Sequence, residues 1–573
     1  MAWSMNDLGD FLLKHGLISS DQLHAAQKEC TISGKDFEAV LSNMGLVSDE
    51  TLRAAQAHTL GIESVNLEET AIQPEALNLI PREKASAWQV MPLAFGELPD
   101  SCTLTLAMTQ TDNIVLLDAI THDLESNFQK PCHLRVFFAP NADIEKAIAE
   151  HYGNALSIDQ LLKDLESALN SESTIVHLVD AFLIDAVFKG ASDIHFEPEA
   201  GFLRIRYRID GLLESVKVLH LSHWKNMAVR LKVLANMDIA ENRDAQDGRM
   251  TRNVLGRAVD FRISILPTLH GENMVLRVLD RSKSVMAFAD LGLDKRQTSN
   301  IFRLLNKPAG IVLVAGPTGC GKTTTLYSLL SYIHNEHIHV MTLEDPVEYP
   351  MPFFRQLNVE ETKLDFVSGV RAMLRHDPDV ILIGEIRDNE TAQMAFRAAM
   401  TGHQVFSTLH SNSALAALPR LFDLKVPADI LATHLNGIIA QRLVRQLCPF
   451  CKKGKTVGAT LAKALNDAQN AVHFAPDSEI FTAQGCAKCR KGYASRLAIM
   501  EILTMNDALE SAIFERKSRQ SLAQIATESG FTTLIEDGFK QVLLGKTTLS
   551  ELTRVLDLGF LGDEIMEVIL GEF

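Results

Sequence analysis

Along RIRYRIDG and the residues before it, Leu203, Ile205, Tyr207 and Ile209 alternate with Arg204, Arg206, Arg208 and Asp210. That period of two predicts a strand with one apolar face and three arginines on the other. AVDFRISILPTLHGENMVLRVLD (Ala258 to Asp280) predicts two more strands of the same sheet. From Leu291 onward the pattern changes. IVLVA, HVMTL, VILI and VFSTL are short, largely apolar runs separated by segments of helical period. Strands covered on both faces read this way, so the region is expected to be a parallel α/β fold.

The start of the chain carries a repeat. DLGDFLLKHGLISSDQLHAAQ (Asp7 to Gln27) returns 29 positions later as DFEAVLSNMGLVSDETLRAAQ (Asp36 to Gln56). Each copy predicts a helix ended by glycine (Gly16, Gly45), then a serine cap (Ser19, Ser48) opening a second helix. Two copies predict a compact helical pair rather than a solenoid. The expected organisation is a helical subdomain over 1–60, a small α/β subdomain over 61–153 and a polar linker over 154–172. A second α/β domain over 173–285 and a nucleotide-binding domain over 286–573 follow, the latter with an insert at 448–489.

The 573 residues suit about four such units. A net charge of −17 disfavours direct nucleic-acid binding, because a phosphate backbone would be repelled. Apolar runs fall short of the ~18 residues that span a bilayer, and MAWSMNDLGDFLLKHG lacks the basic leader of a signal peptide. Cys30, Cys102, Cys132 and Cys320 are scattered, whereas Cys448, Cys451, Cys486 and Cys489 form two C-x-x-C pairs. This usage predicts metal in a reducing, cytoplasmic setting.

GPTGCGKTTT, from Gly316 to Thr325, follows a buried strand and opens a helix. Its glycines let backbone N–H groups cradle phosphate oxygens at a helix N-terminus. Gly316, Pro317, Thr318, Gly319, Cys320, Gly321, Lys322, Thr323 and Thr324 are the candidate nucleotide-binding residues. Lys322 is expected on the β- and γ-phosphates and the Thr323 hydroxyl on Mg²⁺. Three later apolar strands end in Glu344 and Asp345, in Glu385 and Arg387, and in His410. An acid ending a strand also serves as a helix cap or ion pair. In a parallel sheet, though, these groups gather where ligands bind. There an acid can hold Mg²⁺ or orient water, and a histidine can meet the γ-phosphate.

GPTGCGKTTT, TLEDPVE, LRHDPDVILIGEIRD and TGHQVFSTLHSN resemble the Walker A, Asp-box, Walker B and His-box motifs of the secretion ATPases of type II secretion and type IV pilus assembly. SDIHFEP, RIRYRIDG and DGRM resemble the second N-terminal domain of that family. The resemblance implies a multidomain α/β protein: a RecA-like P-loop ATPase domain preceded by a PAS-like domain and an N-terminal region. It implies ATP and Mg²⁺ as cofactors and a homo-hexamer moving an inner-membrane platform protein. It makes Glu344 the water-activating acid, Glu385 the Walker B acid and His410 the His-box contact. Arg206 and Arg208 match arginines that reach a nucleotide across the subunit boundary; a solvated strand face is the competing reading. Arg371, Arg375 and Arg387 are further candidates.

The cysteine spacing allows a closed tetrahedral Zn²⁺ shell or free thiols. The resemblance favours structural zinc, since assembly and secretion ATPases carry a tetracysteine module there and retraction ATPases lack it. The 29-residue repeat resembles a tandem motif that binds cyclic di-GMP, but Asp7 and Asp36 stand where that motif has arginine, and Glu38 replaces a glycine. An aspartate repels the dinucleotide's phosphates, so docking on the cytoplasmic domain of an inner-membrane assembly protein is preferred. The expected protein is a cytoplasmic motor ATPase of pilus extension, held peripherally at the membrane. A type II secretion ATPase, a slow nucleotide-regulated docking module and a DNA-translocating relative are the alternatives.

Overall fold

The computed structural model describes residues 5–570 except 15–17, 34–36, 38–39, 42–43, 45, 48–62, 66, 68–69, 71, 78, 98–100, 112, 129, 153–157, 168–171, 255–256, 281–285, 352, 360–363, 468–471 and 487–488. The chain divides into two units, Met1–Ser284 and Val285–Phe573.

In the first unit, helices Met5–Lys14 and Ser20–Ser33 cross closely. A Cβ on Gly9 would lie 2.7 Å from a methyl of Leu23, so glycine is what lets the two backbones approach. Ser19 caps the second helix: Gln22 N donates to its Oγ at 3.2 Å while Ser19 N donates to Gln22 Oε1 at 2.7 Å. The cap and second helix of the other copy, with Ser48, Leu52 and Gln56, lie outside the described residues.

Strands β1 (Val90–Glu97), β2 (Cys102–Met108) and β3 (Cys132–Phe138) form a small sheet, β1 antiparallel and β3 parallel to β2. The crossover from β2 to β3 runs through helix Ile114–Phe128. Parallel pairing makes Cys102 and Cys132 register partners with Cα atoms 4.6 Å apart, and a disulfide joins them. Scattered in the sequence, these two cysteines are paired by the fold: their 30-residue separation is the length of the crossover.

The next sheet runs β6 (Leu212–His220), β5 (Phe202–Ile209), β4 (Asp193–Pro198), β9 (Gly271–Asp280), β8 (Arg257–Thr268), β7 (Gln246–Val254), antiparallel throughout. Leu203, Ile205, Tyr207 and Ile209 of β5 are buried, under helices Glu172–Phe188 and Trp224–Leu234. The segment read as a linker contains helix Ile158–Ser167, which buries Leu161 and Leu165 in the same core. The opposite face of β5 is an ion-pair ladder. Arg206 grips Glu197 with two bonds of 2.8 and 2.6 Å, Arg204 meets Glu199 at 3.0 Å, and Arg208 meets Asp193 at 3.6 Å.

The second unit holds a seven-stranded sheet. Its order is β12 (Arg355–Asn358), β11 (Val340–Glu344), β13 (Val380–Ile383), β14 (Gln404–Leu409), β10 (Gly310–Ala315), β15 (Leu435–Leu447), β18 (Tyr493–Thr504). All pairs are parallel except β15 with β18. Alternate residues of β10 feed two cores: Ile311, Leu313 and Ala315 join one, Val312 and Val314 the other. Both faces are therefore closed, which is why these strands read as largely apolar runs. Between β15 and β18, strands β16 (Lys453–Thr456) and β17 (Glu479–Thr482) form a two-stranded ribbon. A C-terminal helix, Leu549–Val555, is tied back to β15 by Glu551, which is fully buried. Glu551 accepts from Arg445 N, Nε and Nη2 at 3.0, 2.9 and 2.7 Å, and from Arg554 Nη2 at 2.6 Å.

Removing one partner of that pair strands a buried charge, so Glu551→Ala is expected to cost about 3–5 kcal/mol, read as a drop in denaturation midpoint. Burial alone would raise the Glu551 carboxyl, but its bonds to Arg554 and Arg445 hold it below the ordinary value. The pair's contribution is accordingly intact at neutral pH and fades only as pH falls through and below the ordinary carboxylate range.

Candidate functional site

At the carboxyl end of β10 the chain turns through Gly316–Gly321 into helix Lys322–Ile333. Gly319 and Gly321 hold φ of 78° and 89°, in the left-handed region that glycine enters without a Cβ clash. Below the loop lies Gln441 of β15, buried, its Nε2 donating to Cys320 O at 2.7 Å and its Oε1 accepting from Thr325 Oγ1 at 2.9 Å. The Lys322 ammonium donates to the carbonyls of Gly316 and Pro317 at 2.9 and 3.0 Å. Burial lowers its pKa, with the charge of Glu385 pulling the other way. An incoming phosphate would repair that desolvation cost. Burial pushes the Cys320 thiol up, so this P-loop cysteine sits as a neutral thiol facing inward.

Glu344 ends β11 and is 4% exposed. Its carboxylate accepts from Tyr327 Oη at 2.5 Å, Thr342 Oγ1 at 2.6 Å and Gln356 Nε2 at 3.3 Å. Burial raises its pKa above the ordinary value, against these bonds, which favour the charged form. One strand over, Gly384 follows β13; its N–H donates to Leu343 O at 2.8 Å, and a Cβ there would lie 3.2 Å from Glu344 Cα. The missing side chain brings the two acidic strand ends together. Glu385 is then gripped by Arg387 and faces His410 Nε2 at 3.4 Å, while Arg387 also reaches Asp345 Oδ2 at 3.3 Å. The carboxyl edge of the sheet thus collects the glycine loop, two acids of different environment, an arginine and a half-exposed histidine.

Arg371 and Arg375 lie on and just beyond helix Phe366–Met373, where Arg375 Nη1 donates to Arg371 O at 3.1 Å. Arg206 and Arg208 belong to the other unit and are held by its own acids, as described above. Sequence reasoning missed Tyr327, Gln356 and Gln441. Thr342 did leave a signal, since two residues before Glu344 on a strand is the same side of the sheet.

The four paired cysteines meet between β15 and β18. Their Sγ atoms all lie within 4.8 Å of one another, with Cys448–Cys486 at 3.9 Å, Cys451–Cys489 at 3.6 Å and Cys486–Cys489 at 3.6 Å. A tetrahedral ion with Zn–S bonds of ~2.3 Å sets its sulfurs ~3.8 Å apart, so the cluster fits such an ion.

The family model for Type II/IV secretion system protein matches residues 168–554, and that of the MshEN domain matches residues 60–158. The type IV pilus assembly ATPase PilB of Myxococcus xanthus is 34% identical over 566 residues, 95% of this chain and 98% of that protein. Type II secretion system protein E of Pectobacterium carotovorum is 38% identical over 473 residues, 80% of this chain and 93% of that protein. Among solved structures, the pilus retraction motor PilT with bound ADP aligns with 66% of this chain and 97% of its own at 26% identity and a TM-score of 0.46.

The environment of Glu344 makes a pH prediction. If hydrolysis needs this carboxylate ionised, activity falls on acidification at a pH above the ordinary 4.5. Tyr327→Phe removes a bond that favours the charged form, and should move the acid limb of kcat/KM further up. A limb that stays put would detach Glu344 from the pH dependence.

Proposed function

The chain belongs to the Type II/IV secretion system protein family and is an ATPase, and from that premise we propose that it is the hexameric motor of type IV pilus extension. In this reading ATP hydrolysis moves one ring subunit against the next and so drives an inner-membrane platform protein that extrudes pilin subunits. The observation that carries it is the convergence of the glycine loop, Glu344, Glu385 and His410 on one edge of one sheet. Backbone N–H groups of residues 318–324 would cradle the phosphates, Lys322 would neutralise them and Thr323 would hold Mg²⁺. Glu385 would help hold the metal, Glu344 would take the proton of the attacking water, and His410 would contact the γ-phosphate. A buried carboxyl of raised pKa is suited to that proton transfer.

Arg206 or Arg208 would complete a neighbour's site by exchanging its own acid, Glu197 or Asp193, for phosphate. We assign residues 1–60 and 61–153 to docking on the membrane partner, 173–285, with helix Ile158–Ser167 packed into its core, to supplying the arginines and 286–573 to hydrolysis. No described helix is long and apolar enough to cross a membrane, so attachment to the inner membrane would run through partners. The acids Asp7 and Asp36 weigh against cyclic di-GMP on the repeat. Pilus assembly is preferred because the similarity to the pilus ATPase takes in nearly the whole chain, N-terminal region included. The secretion relative, slightly higher in identity over a shorter span, supports type II secretion as the second reading.

Capture of the protein from native membranes, beside a Lys322→Ala variant, tests the choice. Pilus platform and alignment proteins are the expected partners; a general secretion platform would shift the assignment to type II secretion. Glu344→Gln should keep ATP binding and lose at least about 100-fold in turnover, and full turnover would remove Glu344 from its role. For the cysteine cluster, elemental analysis should find about one zinc per chain, lost in Cys451→Ser with a lowered melting temperature. Metal-free protein of unchanged stability would leave four free thiols.

A further inference from the structure

We propose that Arg442 is a positioning residue for ATP hydrolysis, its guanidinium packed beneath the P-loop and bonded to the loop that carries His410; this rests on the ATPase reading of the same edge. Arg442 is only 8% exposed on β15. Nη1 donates to Gln441 O at 2.9 Å and Nη2 to Asn412 O at 2.8 Å. Gln441 is the residue whose amide holds Cys320 O, and a Cβ on Gly316 would lie 2.9 Å from Gln441 O and 3.4 Å from Arg442 Nη1. One nitrogen thus packs under the first glycine of the phosphate loop. The other holds a backbone carbonyl two residues past His410. Beyond it, Ser413 caps helix Ala414–Asp423, accepting from Ala416 N at 3.1 Å.

The guanidinium makes no ion pair among the described residues. Glu501 attracts it electrostatically, but the Glu501 carboxylate is spent on two helix starts, accepting from Ala414 N at 2.5 Å and Leu534 N at 3.0 Å. A buried cation satisfied only by carbonyls is expensive to keep for packing alone. Beneath a phosphate loop it gains a counter-charge when nucleotide binds, and the fork hands that change to the His410 loop. Only a planar fork with diverging donors can span both carbonyls. Lysine offers the charge without the bridge.

Full-length Arg442→Lys separates the two contributions. The bridge predicts a kcat lower by about tenfold, with KM, affinity for a fluorescent ADP analogue and melting temperature close to wild type. In a His410→Ala background the same substitution should add nothing, because the positioned group is gone. Wild-type kcat in Arg442→Lys, losses that multiply with those of His410→Ala, or a loss of kcat that tracks lost stability would each overturn the proposal. Should the variant not fold, amide exchange in the unmodified protein decides: residues 411–414 should gain protection when ADP binds, and unchanged exchange overturns the coupling. A wild-type protein without Lys322-dependent hydrolysis would overturn the catalytic assignments above as well, whereas hydrolysis with an indifferent Arg442 would overturn this inference alone.

Discussion

Both faces of the seven-stranded sheet are sealed, and this decides where the chemistry of the second unit can stand. Residues 311–315 of β10 are completely buried, alternating between two cores. A charged group placed there would lose its hydration with nothing to replace it. The strand ends are the remaining place, and in a parallel sheet the carboxyl ends all lie on one edge. Glu344, Glu385, His410 and the glycine loop meet because each stands where a strand ends: Glu344 as the last residue of β11, Glu385 and His410 just past β13 and β14, and the loop after β10.

That edge is built with small residues and amides as well as charges. Gly384 removes the side chain that would separate the ends of β11 and β13, and Gln441 spends both ends of its amide on the loop and its helix. The two acids consequently differ. Glu344 is enclosed by a tyrosine, a threonine and a glutamine and is biased toward the protonated form, while Glu385 is clasped by Arg387 and faces His410. Two carboxylates in unlike environments suit two unlike tasks, proton acceptance and metal support.

The first unit handles charge differently. The arginines of β5 are each matched by an acid from β4 or just beyond it, so the ladder is neutralised within its own domain. A phosphate competing for Arg206 would have to displace a bidentate carboxylate, which sets a threshold on any use of that arginine elsewhere. Tyr207, on the buried side of the same strand, donates to Phe182 O at 2.8 Å and anchors the covering helix.

Much of this was legible in the chain itself. Period-two alternation around Arg206, largely apolar runs before Glu344, Glu385 and His410, and the glycine spacing around Lys322 all reflect local backbone geometry, which neighbouring residues dictate. Ser19 as a cap is equally local. Partnerships across long separations were not legible. Nothing near Tyr327 says that it donates to Glu344, nothing near Gln441 that it props Cys320, and nothing near Cys102 that β3 will present Cys132. Those pairings depend on strand order and crossover, which bring together residues tens to more than a hundred positions apart. The sequence by itself determined where the apolar strands run, which turn carries the glycine-rich loop pattern and which cysteines can share a metal, because those are properties of short stretches. Only the tertiary structure decided which acid is buried, which arginine is already paired and which is left without a carboxylate, because charge state follows from burial and neighbours.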